Sequence, residues 1–202
     1  MPLTNTELAR RPYRSPLREQ QAAETRDRIL GGLVAAMAGG LAEVSMPAVA
    51  REAGVSVATV YRHFPNKQAL YDAMPEYFAR RTGSDRFEVP DSLEQFERMM
   101  LRFFESTERM DPILRAAIDS PLGIEARRAQ MPQRLAFIES TVTSLAPTLD
   151  EPARGRLARL VLVLTSTGTQ RMLSAAGLDA REATDDAMWA VRTIIATETA
   201  KT

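Results

Sequence analysis

The chain has 202 residues but no cysteine and a single histidine, His63. It therefore carries no disulfide framework, no zinc cluster of cysteine and histidine, and no thiol nucleophile. A catalytic triad would have to pass through that one imidazole. An excess of charge of one sign is also missing, because 26 Lys+Arg stand against 26 Asp+Glu. That balance excludes a surface that grips nucleic acid all over, so a basic patch must be local. Long apolar runs are lacking too. The longest, residues 29–42, is broken by Gly31, Gly32, Gly39 and Gly40 and is too short to span a bilayer, which argues against a membrane protein. The first twenty residues hold no apolar run behind a basic start, so the cytoplasm is the expected compartment. What is present is 45% hydrophobic residues, enough at this length to bury a core in one mid-sized domain or two small ones.

Residues 1–20 carry Pro2, Pro12 and Pro16 among Arg10, Arg11, Arg14 and Arg18 without helical periodicity, and read as a flexible basic arm. Such an arm can follow a DNA groove or remain a solvated tail. From Glu24, the apolar residues Ile29, Leu33, Val34 and Met37 recur at the spacing of an amphipathic helix, which Gly39 and Gly40 end. Gly31 and Gly32 weaken that helix by about 1 kcal/mol each relative to alanine. Ser45 then reads as an N-cap ahead of Met46 and Pro47, opening a two-turn helix to Ala53. Gly54 can take the left-handed conformation, and Ser56 can cap a helix from Val57 to about Phe64, where Pro65 stops it. Asn66 caps a further helix through Leu70, Tyr71 and Met74.

Two short helices around a glycine turn are the pattern of a helix-turn-helix. On the second, Val60 and Phe64 point to the core while Val57, Ala58, Tyr61 and Arg62 face outward. Small side chains at the leading end, Ala58 and Thr59, let a helix enter the major groove, and Arg62 supplies donors further along.

The runs Ala50-Arg51-Glu52-Ala53-Gly54-Val55-Ser56, Thr59-Val60-Tyr61-Arg62-His63-Phe64 and Asn66-Lys67 resemble the signature of the TetR family of bacterial transcriptional regulators, over about residues 24–75. The resemblance implies an all-α fold: an N-terminal helix-turn-helix DNA-binding domain (21–81) and a C-terminal ligand-binding and dimerisation bundle (82–202). It implies phosphate contacts from Ser45, Ser56, Thr59, Tyr61, His63 and Lys67. Val57, Ala58 and Arg62 would meet base edges, since phosphate contacts fix register and base contacts discriminate. Met46-Pro47 departs from the polar residues common at that place in the family, and Met37 from a common aromatic. Charge agrees in sign: residues 1–81 hold eleven Lys/Arg against eight Asp/Glu, and the remainder fifteen against eighteen.

Beyond a glycine- and proline-marked stretch at 82–90, the pattern is helical without strands or repeats. A capping box near Asp91-Ser92 opens a helix, Asp111-Pro112 a short one that ends near Pro121 or Gly123, and a third holds Leu135, Ile138 and Val142. Asp150 opens a fourth that Gly177 closes, and Asp179 a last. The stripe Phe96, Met99, Met100 and Phe103 reads as core, yet such adaptable side chains also suit an apolar cavity. The resemblance to the family implies that, with Phe137, Thr141 and Thr165, they would surround an effector site. Leu160 to Leu164 is apolar all round, Gly168 permits close approach, and Ala183, Ala187 and Val191 lie on the last helix. These helices resemble the family's four-helix dimer interface, here expected at Leu162, Gly168, Ala183, Ala187 and Val191. A symmetric dimer would set its recognition helices about 34–36 Å apart.

The reading is a homodimeric regulator, with repression as the family's default, that binds a palindromic double-stranded operator and is released by a small apolar effector. It needs no cofactor and no metal. The alternative is an effector-independent DNA-binding regulator whose C-terminal helices contact proteins. An enzyme is disfavoured, because no nucleophile and carboxylate accompany His63.

Overall fold

The structure, a computed structural model, describes residues 16–39 and 44–200. Among these residues the chain forms α-helices and one 3₁₀ turn, without strands. None of the helices is long and apolar enough to cross a membrane. The basic arm read at 1–20 lies outside the described residues up to 15. Residues 16–20, read as part of that arm, are instead the exposed first turns of α1 (Pro16–Ala38). Proline at the first helical position costs no hydrogen bond, which lets the helix start at Pro16.

The N-terminal unit comprises α1, α2 (Met46–Ala53), α3 (Val57–His63), α4 (Lys67–Asp72) and α5 (Met74–Thr82). Its core is built from Ile29, Leu33, Val49, Val60, Phe64 and Leu70, each at most 1% exposed. The crossing of α1 over α2 explains the glycine pair. A Cβ on Gly32 would stand 2.7 Å from the Val49 carbonyl oxygen and from the Ala53 nitrogen, whereas one on Gly31 would meet only the Tyr77 hydroxyl, at 3.5 Å. Gly32 thus gives up helix propensity for a backbone approach that no other residue permits.

After Gly83, which is left-handed at φ 72°, and a 3₁₀ turn at Ser84–Arg86, the C-terminal unit begins. It holds α6 (Leu93–Glu108), α7 (Pro112–Asp119), α8 (Pro121–Ala129), α9 (Met131–Leu145), α10 (Glu151–Leu164), α11 (Thr167–Ala175) and α12 (Ala180–Thr199). Phe96, Phe104, Val142, Leu157, Met188 and Val191 centre its core. Two expectations change here. The single helix read from Asp150 to Gly177 is two, because the Ser166 hydroxyl accepts the Thr169 amide at 3.1 Å and restarts the chain as α11. Gly123 sits inside α8, where a Cβ would come 2.2 Å from the Ala117 carbonyl, so it permits the tight α7–α8 corner that Ser120 caps. The two units are joined through α7, whose Leu114 and Ala117 are buried in the N-terminal core beside α1.

Candidate nucleic-acid interface and ligand cavity

α3 has only seven residues, far below the ~12–15 at which an isolated helix holds in water. It is fixed instead by its ends and two anchors. Val60 and Phe64, 0% and 1% exposed, sit one turn apart in the core, each burial contributing about 1.5–3 kcal/mol. At the amino end the Ser56 hydroxyl accepts the Thr59 amide at 3.1 Å. At the carboxyl end the Phe64 amide donates to the Val60 carbonyl at 2.8 Å, and the Arg26 guanidinium of α1 lies 4.3 Å above the Phe64 ring. The turn before α3 rests on Gly54, left-handed at φ 63°, whose N–H reaches back to the carbonyls of Ala50 and Arg51.

With one side pinned, the other is presented. Val57, Ala58, Tyr61 and Arg62 are all exposed, with Tyr61 at 49%. Thr59 and His63 flank them half-buried, and Lys67 is half-buried in the first turn of α4, where the Asn66 side chain caps the Ala69 amide at 2.8 Å. Ser45 and Ser56 are exposed N-caps. The Ser45 oxygen accepts the Ala48 amide at 3.2 Å and keeps its own proton to donate outward. Ser56 and Thr59 share one hydrogen bond at 2.9 Å, so one hydroxyl proton of the pair stays available. His63 has its pKa held below the ordinary value by partial burial first, then by Arg62 and Arg26. It is neutral at pH 7, with one ring N–H to donate. The nine sequence-derived positions therefore lie on and beside one exposed helix face, bearing hydroxyl, imidazole, ammonium and guanidinium donors. Arg26 was missed, since its role comes from α1 crossing the end of α3.

A cavity of about 330 Å³ lies where α5 meets the C-terminal helices. Four residues read as effector contacts line it: Met100 and Phe103 of α6, Phe137 of α9 and Thr165 beyond α10. Phe96, Met99 and Thr141 do not, being buried in the helical core instead. Phe96 lies one turn back along α6, and Met99 is rotated about 100° from Met100. Thr141 spends its hydroxyl on the Phe137 carbonyl at 3.0 Å. Phe87 stands edge-on to Phe103, ring centres 5.7 Å apart, and stacks on Phe137 at 6.4 Å. Phe78 and Thr82 of α5, Ile118 of α7, and Arg127 and Arg134 of α8 and α9 also line the cavity. The sequence pattern missed them, because residues from seven helices meet there only once those helices pack.

The expected dimer residues also change. Ala183, Ala187 and Val191 are at most 3% exposed, filling the chain's own core on the side of α12 that packs against α6. Their small, regularly spaced side chains serve that internal contact. Leu162 lines the cavity, and only Gly168 is exposed. The large apolar side chains that α10, α11 and α12 leave outside are Leu160, Val163, Met172 and Trp189, the last 71% exposed. α10 and α12 pack together and are tied by Arg156 to Glu198 at 3.3 Å.

Residues 32–74 match the family described as bacterial regulatory proteins, tetR family. Over 140 residues the chain is 34% identical to the HTH-type transcriptional repressor KstR of Rhodococcus jostii (strain RHA1), an alignment covering 67% of this chain and 65% of that protein. Among solved structures it resembles native NalD, the secondary repressor of the MexAB-OprM multidrug efflux pump in Pseudomonas aeruginosa. The TM-score is 0.54 at 18% identity, covering 86% of this chain and 96% of that one. At that identity the likeness concerns the fold alone.

Proposed function

Since the chain belongs to the tetR family of bacterial regulatory proteins, we propose that it is a DNA-binding transcriptional repressor whose operator affinity is set by a small molecule in the cavity. The observation that carries this reading is the exposed face of α3, held by Val60 and Phe64 while Val57, Ala58, Tyr61 and Arg62 point outward. In this reading Val57, Ala58 and Arg62 meet base edges. Ser45, Ser56, Thr59, Tyr61, His63 and Lys67 hold phosphates and fix register.

The operator is a palindrome read by a homodimer, with one α3 in each half-site. The outer faces of α10 and α12, bearing Leu160, Val163 and Trp189, support an isologous contact there. The route from ligand to DNA runs through two shared elements. Phe78 and Thr82 of α5 touch the cavity, and so does Ile118 of α7, one residue after the Ala117 buried against the α1 core. A ligand that binds more tightly when α5 and α7 are displaced shifts the population toward dimers with mis-spaced recognition helices, and repression is released.

Fluorescence anisotropy with DNA from upstream of the protein's own coding region tests this. Specific binding is expected for the wild type. Arg62→Ala should lose about 1–3 kcal/mol of it and relax discrimination at one base position. Binding no tighter than to scrambled DNA, or unaffected by Arg62→Ala, would overturn the assignment.

A further inference from the structure

The amide and guanidinium groups that line the cavity all come from residues 127–134, where α8 hands over to α9: Arg127, Gln130, Gln133 and Arg134. Aspartate and glutamate are absent from the lining, so its formal charge is positive. Arg127 is already engaged. Its Nη2 donates to the Ile118 carbonyl at 2.7 Å and lies 3.8 Å from Asp119, a carboxylate that Arg171 holds more closely, at 2.7 Å to each oxygen. Arg134 is half-buried in the cavity that Phe87, Phe103 and Phe137 also line, and among the described residues no carboxylate pairs with it. Burial and then the charge of Arg127 push its pKa below the ordinary value. An unpaired, partly desolvated guanidinium is costly to maintain, and an incoming anion relieves that cost.

We propose that the cavity selects a small organic carboxylate, its head held by Arg134 with Arg127 alongside and its compact aromatic or alicyclic body among Phe87, Phe103 and Phe137. A guanidinium fork matches a planar carboxylate in two parallel hydrogen bonds, and the amides of Gln130 and Gln133 stand beside it to complete the head's shell. At about 330 Å³ the volume is near the low end of ligand cavities, which fits one compact body with a single head group. This assignment rests on the cavity being the effector site, and it replaces a purely apolar effector with an amphipathic anion.

Calorimetric titration of the full chain without DNA, using naphthoate and phenylbutyrate against their neutral amides, tests it. The acids should bind roughly ten- to a hundredfold more tightly than the amides. Arg134→Gln should erase that preference while leaving amide affinity in place, and Arg134→Lys should retain part of it. Because Arg134→Gln breaks no ion pair among the described residues, its melting temperature without ligand should equal or exceed the wild type's. Arg127→Gln loses the Ile118 contact as well, so its melting temperature is recorded beside its affinities. Amides binding as well as acids, neither binding, or Arg134→Gln weakening both alike would overturn the carboxylate assignment. A wild type that binds its operator but shows no preference for the acids removes this proposal alone. Carboxylate binding through Arg134 in a chain that ignores DNA would instead remove the regulator reading and leave this one.

Discussion

Two adjacent glycines in α1 should respond to alanine with opposite signs. At Gly31 the added methyl would meet only the Tyr77 hydroxyl, at 3.5 Å, an ordinary contact. Gly31→Ala therefore gains helix propensity without a clash and should stabilise the chain by about 0.5–1 kcal/mol. At Gly32 the same methyl would stand 2.7 Å from the Val49 carbonyl oxygen and the Ala53 nitrogen, and 2.8 Å from the Ala53 Cβ. Two of those three atoms are backbone of α2, which cannot rotate aside as a side chain would. α1 and α2 must then separate by several tenths of an ångström, which loosens Ile29, Leu33 and Val49 in the core between them. Overpacking of this kind costs about 1–3 kcal/mol, and the upper half of that range applies where backbone is struck. Subtracting the propensity gain leaves a net loss of about 1–2 kcal/mol. Urea unfolding followed by circular dichroism measures both variants against the wild type. Midpoints that move in the same direction, or a Gly32→Ala midpoint equal to the wild type's, would refute the claim that helix crossing, and not helix propensity, determines these positions.

Two further outcomes follow from exposure and from charge. Val163→Glu combined with Trp189→Glu should give a monomer in analytical ultracentrifugation without loss of helicity, since both side chains point outward at 62% and 71% exposure; a dimer that survived would relocate the interface. His63 titrates lower in the folded chain than its ordinary 6.5. Between those two pKa values the unfolded chain binds more protons, so stability rises with pH across that window, is complete above about 6.5, and is lost as pH falls through the folded value. His63→Gln should flatten that slope, and an unchanged slope in urea midpoints just below neutrality would count against it.

Much of the N-terminal unit was legible because its signals are local. Ser45, Gly54, Ser56 and Asn66 act within three or four residues of themselves, so their caps and turn are written in the order of side chains. The outward face of α3 follows from the same locality. Once Val60 and Phe64 are buried, helical spacing alone turns Tyr61 and Arg62 to the other side.

The C-terminal unit shows where such reasoning stops. A stripe of alanines looks the same whether it meets another subunit or the chain's own α6, and at Ala183 and Ala187 the internal neighbour won. The break between α10 and α11 has no glycine or proline at Thr165-Ser166. It depends on Ser166 acting as a cap, a role serine takes only when the chain's path frees the amide of Thr169.

The sequence by itself determined the helical class, the N-terminal caps and the face that α3 presents, because each is settled by contacts a few residues apart. Only the tertiary structure decided which helix faces are internal, why Gly32 must be glycine, and that Arg127 and Arg134 line one cavity with Phe87, Phe103 and Phe137. Those facts depend on segments distant in sequence coming within a few ångströms, and periodicity along one helix carries no record of what packs against it.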